Sequence, residues 1–275
     1  MLKQIEGSQG VAQAVALCRP EVICAYPISP QTHIVEALGT MTRKGLIPNC
    51  EYINVESEFA AMSVAIGAMV GPEAFTEVRY LAHVKQRQAL ELIPQVAAEF
   101  KEVFGRSSGG LVHTYRCEDA DIRIVAMGSC LGTIKDAVDE LREETDLKIG
   151  VVGVKCFRPF PVEVMGEALE GAKTVVVLER TLAVGSGGVL SRDIMVSIKD
   201  PSVTRYTVIA GLGGRAITKA SLKKMLKEAA AHQLETLTFM DLNKELVERQ
   251  LERERKTRKS GPVPEALIRD AAMHQ

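Results

Sequence analysis

Two residues in the first quarter of the chain have the type and setting to do chemistry. Ser29 stands between two prolines in Tyr26-Pro27-Ile28-Ser29-Pro30, directly after the strand-like run Glu21 to Ala25. Glu58 follows about thirty residues later, after a second strand-like piece, Glu51 to Val55. It opens the small-residue segment Glu58-Phe59-Ala60-Ala61-Met62-Ser63-Val64-Ala65-Ile66-Gly67. A hydroxyl and a carboxylate at two strand ends that are also helix starts form a site-shaped arrangement in an α/β sheet. Bland roles are open to both: Ser29 as the N-cap of the next helix, and Glu58 as a charge complementing a helix N-terminus. The helix after Ser57 carries almost nothing but apolar and small side chains, so it is expected to be buried on several sides. A carboxylate in that position must find a partner or rise in pKa.

The elements that position them follow from hydrophobic periodicity. A glycine-opened helix over Gly7 to Leu17 hands over through Pro20 to the first strand, and a helix over Gln31 to Lys44 follows the Ser29 turn. Leu81 to Phe104 has helical spacing. From Asp121 the pattern alternates. Strands are expected over Asp121–Met127, Lys148–Cys156, Thr174–Glu179 and Arg205–Ala210. Helices are expected over Gly132–Glu144, Pro161–Leu169, Gly188–Ile198 and Thr218–Ala231. Such alternation means a mostly parallel sheet with helices on both faces. Lys244 to Lys259 reads as a charged helix, followed by a Pro-containing tail, Ser260 to Pro264.

Several function classes are disfavoured. Net charge is −1 over 275 residues, which gives no long-range field for nucleic acid or an anionic membrane surface. No apolar run approaches the ~20 residues that span a bilayer, and the N-terminus lacks a signal-peptide core, so a cytoplasmic location is expected. The six cysteines (Cys18, Cys24, Cys50, Cys117, Cys130, Cys156) show no C-x-x-C pair, and the five histidines have no metal spacing, so no metal site is expected here. Buried thiols are the expected role for most of the cysteines. The loops Gly185–Gly188 and Gly211–Arg215 lack the G-x-G-x-x-G context and read as tight turns or subunit contacts. Arg158 and Arg215 are candidates for inter-subunit ion pairs.

With these residues in hand, the chain resembles the α subunit of thiamine-diphosphate-dependent 2-oxoacid oxidoreductases, the pyruvate:ferredoxin oxidoreductase group. The resemblance rests on YPISPQ (26–31), NVESEFAAMSVAIGA (54–68), GLVHTYRCEDADIRIVAMGS (110–129), KCFRPFP (155–161), VLERTLAVGSGG (177–188) and AGLGGRAIT (210–218), in that order. It implies an α/β fold: a truncated thiamine-diphosphate pyrimidine-binding domain plus a transketolase C-terminal-like parallel-sheet domain. The implied layout is an incomplete pyrimidine domain over 1–80, a connecting helix and linker over 81–110, the second domain over 111–232 and a charged tail over 233–275.

The resemblance also implies roles. Glu58 would hydrogen-bond the aminopyrimidine ring of thiamine diphosphate and favour the imino tautomer that deprotonates the thiazolium carbon, with Pro27 and Ile28 also on the cofactor. Ser29 and Pro30 would lie beside the substrate carboxylate. The implied activity is oxidative decarboxylation of a 2-oxoacid (pyruvate-like, branched-chain or aryl) to its acyl-CoA, with electrons passed to ferredoxin or NAD. Coenzyme A is the co-substrate. The cofactor would be shared with a β subunit. Mg2+ and [4Fe-4S] clusters would sit on partner subunits, among them a γ subunit, a ferredoxin-like iron–sulfur subunit and, in some forms, a flavin subunit that reduces NAD. One departure stands out. After Gly67-Ala68-Met69-Val70-Gly71 the family's first domain continues, whereas here the chain passes directly to Pro72-Glu73-Ala74. A long internal block is missing, by deletion or by the joining of two separated segments. A non-catalytic assembly subunit on the same fold is therefore the alternative reading.

Overall fold

A computed structural model describes residues 4–67, 72–107 and 109–257. The Ala68–Gly71 junction and the Ser260–Pro264 tail lie outside the described residues. The chain divides into two compact units, 1–84 and 85–275.

In the first unit, α1 (Gly7–Leu17) leads to β1 (Val22–Ala25), α2 (Thr32–Arg43), β2 (Glu51–Asn54) and α3 (Glu58–Gly67). β1 and β2 pair in parallel and, among the described residues, form a sheet of only two strands. Ala12, Ile23, Leu38 and Ile47 make its small core. Tyr52 ties β2 to α2, its hydroxyl donating to the Val35 carbonyl at 2.9 Å. Gly39 is required there, because a Cβ would come within 3.0 Å of the Tyr52 ring.

The helix α4 runs from Pro72 to Phe104, beginning nine residues before the expected start at Leu81, and carries Pro94 within it. The boundary between the units falls inside it, after Val84.

The second unit holds β3 (Val112–Tyr115), β4 (Ile122–Met127), α5 (Cys130–Glu144), β5 (Ile149–Val154), α6 (Val162–Leu169), β6 (Thr174–Glu179), α7 (Leu190–Ser197), β7 (Thr204–Ile209), α8 (Lys219–Ala230), β8 (Leu237–Phe239) and α9 (Lys244–Thr257). The sheet order is β3-β5-β4-β6-β7-β8, antiparallel only at β3. The expected parallel sheet is therefore present, with two short strands added at its edges. β4 (IRIVAM), β5 (IGVVGV) and β6 (TVVVLE) are mostly apolar and almost wholly buried because both faces of the sheet are covered. One core layer packs α5 and α8 on Ile124, Val151, Val176 and Val208. The other packs α6 and α7 on Val125, Val152, Val175 and Val177.

The free thiols divide evenly. Cys117, Cys130 and Cys156 are buried as expected, while Cys24 and Cys50 are half-buried and Cys18 is exposed at the end of α1. Arg158 pairs within the chain, with Asp193 at 2.9 Å, and stacks its guanidinium 4.0 Å from the Phe157 ring. Arg215 donates to the Asp241 carbonyl at 2.6 Å. Both arginines have partners within the chain.

Candidate functional site

β1 and β2 run in register from Val22↔Glu51 to Ala25↔Asn54, and the Val55 amide donates to the Ala25 carbonyl at 3.0 Å. Ser29 lies four residues beyond Ala25, and Glu58 lies four residues beyond Asn54. The two residues thus leave the same carboxyl edge of two adjacent parallel strands, the edge at which α/β sheets bind ligands.

Local chemistry holds each turn without using either functional group. Gln31 occupies the N-cap position of α2 without a side-chain cap, and its amide nitrogen donates to the Tyr26 carbonyl at 3.0 Å. Ser29 lies two residues too early to cap, which corrects that expectation. Pro27, Ile28, Ser29 and Pro30 are all exposed. At α3 the cap is Ser57, whose hydroxyl accepts from the Ala60 amide at 3.1 Å. The Cys24 thiol of β1 donates to the Ala61 carbonyl at 3.1 Å and so ties α3 to the sheet.

Glu58 is exposed, and its carboxylate has no hydrogen-bond or ion-pair partner among the described residues. The expected burial of α3 does not occur: Phe59 is 84% exposed and Met62 63% exposed. The reason is the width of the sheet. Two strands cover one side of an apolar helix, and no further strand or helix among the described residues covers the rest. Ser29 and Glu58 both stand exposed beyond that sheet edge.

Two features of the second unit escaped the sequence reading. Glu179, at the end of β6, is buried and serves as the cap of α7 from a distance in sequence. Its carboxylate accepts from the amides of Val189 (2.8 Å), Leu190 (2.8 Å) and Ser191 (3.1 Å). The available signal was a glutamate closing an all-apolar strand, nine residues before a glycine. The other feature is a basic cluster on β3 and α5. Lys135 Nζ lies 2.9 Å from His113 Nε2 and 4.9 Å from the Tyr115 ring centroid. Burial, then the charges of Lys135 and Lys155, hold the His113 imidazole below its ordinary pKa. Tyr115 donates to Asp139 at 2.7 Å, and Arg116 pairs with the same carboxylate at 2.6 Å. Among the described residues no group of His, Cys, Asp and Glu is placed to hold a metal ion, and no helix is long and apolar enough to cross a membrane.

The chain is α/β in both units, and the match of its first unit is to a thiamine-diphosphate-binding family model. Residues 13–77 match the family model "Pyruvate flavodoxin/ferredoxin oxidoreductase, thiamine diP-bdg", and residues 120–222 match "Pyruvate:ferredoxin oxidoreductase core domain II". The pyruvate synthase subunit PorA of Methanosarcina barkeri is 29% identical over 392 aligned positions, which take in 88% of this chain and 97% of that protein. PorA of Methanothermobacter thermautotrophicus is 35% identical over 66% of this chain and 46% of its own length. The ketoisovalerate oxidoreductase subunit VorA of Pyrococcus horikoshii is 36% identical over 60% of this chain and 42% of its own length. The chain belongs to the α-subunit family of 2-oxoacid:ferredoxin oxidoreductases.

It spans less than half the length of the latter two relatives. Against the Methanosarcina protein, 88% of 275 residues is about 242, so roughly 150 of the 392 aligned positions have no counterpart here.

Proposed function

We propose that this chain is the α subunit of a hetero-oligomeric 2-oxoacid:acceptor oxidoreductase. The reaction converts a 2-oxoacid and coenzyme A to acyl-CoA, CO2 and a proton, with two electrons passing to ferredoxin or, through a flavin subunit, to NAD. The observation that carries this reading is that Ser29 and Glu58 each follow one of two adjacent parallel strands. They leave one carboxyl edge of paired parallel strands, inside the stretch matched by the thiamine-diphosphate family model. Relatives named for pyruvate and for ketoisovalerate favour a short or branched aliphatic 2-oxoacid.

The residues present fit one side of the cofactor. Glu58 is a lone carboxylate able to hold a protonated pyrimidine nitrogen, and Phe59 and Met62 offer apolar surface next to it. Thiamine diphosphate, when bound, supplies the electron sink for the decarboxylation. Glu58 would bias the ring's proton equilibrium, an interaction that strengthens once a partner surface excludes water from the carboxylate. Ser29, with Pro30, would face the substrate carboxylate; Pro27 and Ile28 would border the ring. In this reading Mg2+ sits on a β subunit, and the iron–sulfur clusters on γ and ferredoxin-like subunits. A cytoplasmic location and the four-part layout 1–80, 81–110, 111–232 and 233–275 belong to the same proposal.

A second reading is favoured by the exposure of Glu58 and α3 together with the gap of roughly 150 positions. In it the chain is an assembly subunit that keeps the fold but not the chemistry. Glu58→Gln, introduced into the purified full complex, separates the two. The catalytic reading expects 2-oxoacid-dependent acceptor reduction to disappear while the subunits still co-purify. Unchanged turnover would leave only the assembly role.

A further inference from the structure

The second unit contains a crevice that the Ser29–Glu58 pair does not involve. β4 connects through α5 on one face of the sheet, while its neighbour β6 connects through α7 on the other. Between the carboxyl ends of two such strands the chain runs apart, and this switch point is where open α/β sheets bind ligands. A cavity of about 220 Å³ lies there. Met127, Phe157, Leu178, Val189 and Leu190 wall it, with the Cys130 thiol at its side.

One cation borders it. Arg180 follows Glu179 directly and has no carboxylate partner among the described residues. Gly211, at φ +68°, leaves the space that the guanidinium stem occupies: a Cβ there would come within 3.1 Å of Arg180 Nε. The other charged group at the crevice is Glu179, and its oxygens are spent on the three amides at the start of α7. That clamp decides the ligand class. Phosphates bind such crevices through free amides at a helix N-terminus. Here the protein's own carboxylate holds the α7 amides. At α5, which borders the crevice through Cys130, the Leu131 and Gly132 amides already bond the Gly128 and Ser129 carbonyls at 3.2 and 3.4 Å. A phosphate therefore finds fewer amides than a helix N-terminus usually offers. A single guanidinium fork beside apolar walls matches a planar carboxylate. The volume equals that of about seven waters at ~30 Å³ each, which suits a small molecule.

We propose that this crevice is a binding site for a short-chain aliphatic monocarboxylate, its carboxylate on Arg180 and its alkyl end against Met127, Leu178 and Val189. The site lies wholly in the second unit and does not depend on the function assigned to Glu58. The test uses the full chain without cofactor or partners. Isovalerate is titrated while the methyl resonances of Met127, Leu178 and Val189 are followed, with neutral isovaleramide as the comparison. Saturable shifts are expected for isovalerate, with at least about tenfold weaker binding of the amide. Arg180→Gln and Val189→Trp, both at exposed positions, should each weaken isovalerate by a similar factor without moving the melting temperature. Absence of saturable binding, equal binding of the amide, or full binding by both variants would overturn the assignment.

Discussion

Glu179 Oε1 occupies the space into which a side chain on Gly188 would project. A Cβ at Gly188 would collide with that oxygen and with Ser191 Oγ. The glycine leaves room for a strand-end carboxylate to reach three amides at the start of α7, the helix packed on that face of the sheet.

Gly188→Ala should therefore unseat the carboxylate. Hydrogen bonds to charged groups contribute roughly 1.5–3 kcal/mol each, and displacement need not break all three. A loss of about 3 kcal/mol in urea unfolding is expected. Glu179→Ala should cost a comparable amount, and the double variant should cost much less than the sum, because both remove one interaction. Additive losses would show that the clamp is not the reason for the glycine.

Glu58→Gln should leave the isolated chain's melting temperature unchanged. The side chain is exposed and unpartnered among the described residues, and surface substitutions of this kind stay within about 0.5 kcal/mol. A marked destabilisation would mean that Glu58 holds the fold and would weaken the case for a site role.

Phe59→Ser with Met62→Ser should likewise spare the isolated chain, since both side chains face water. In the full complex the same pair should reduce subunit association by about tenfold or more, read by analytical ultracentrifugation. Retained association would show that α3 is not covered on assembly.

The His113 imidazole, held below its ordinary value of 6.5 by burial and by Lys135 and Lys155, sets a pH dependence. Between that lowered value and about 6.5 the unfolded chain binds a proton that the folded chain refuses. Stability from this source is full above pH 6.5, declines as the pH falls through that window, and levels off below the folded value. His113→Gln should flatten urea midpoints across the window. Asp119, Glu140 and Asp200 are also shifted, but downward from carboxylate values, so their effect falls at more acidic pH. An unchanged slope in the variant would assign the effect elsewhere.

The sheet of the second unit was readable because its central strands are Val- and Ile-rich segments separated by amphipathic helices. β3 and β8 were missed because they are short and lie at the edges, where His113-Thr114-Tyr115 carries no alternating apolar signal. The candidate site was legible as residue types: Ser29 and Glu58 do share an edge. Its burial was not, because α3 is apolar in composition, while among the described residues only a two-stranded sheet is there to cover it. The Glu179 clamp was invisible because its partners are backbone amides ten or more residues away, which leave no mark on side-chain patterns.

The two-stranded sheet of the first unit has a consequence for handling the chain. Among the described residues no strand pairs with the outer edges of β1 and β2, and an open edge accepts any extended segment that reaches it. At the concentrations of overexpression the most abundant such segment is another copy of the same strand. Yield should therefore follow the ratio of this polypeptide to whatever covers those edges, and co-expression, rather than a change of temperature or tag, is the lever that governs aggregation.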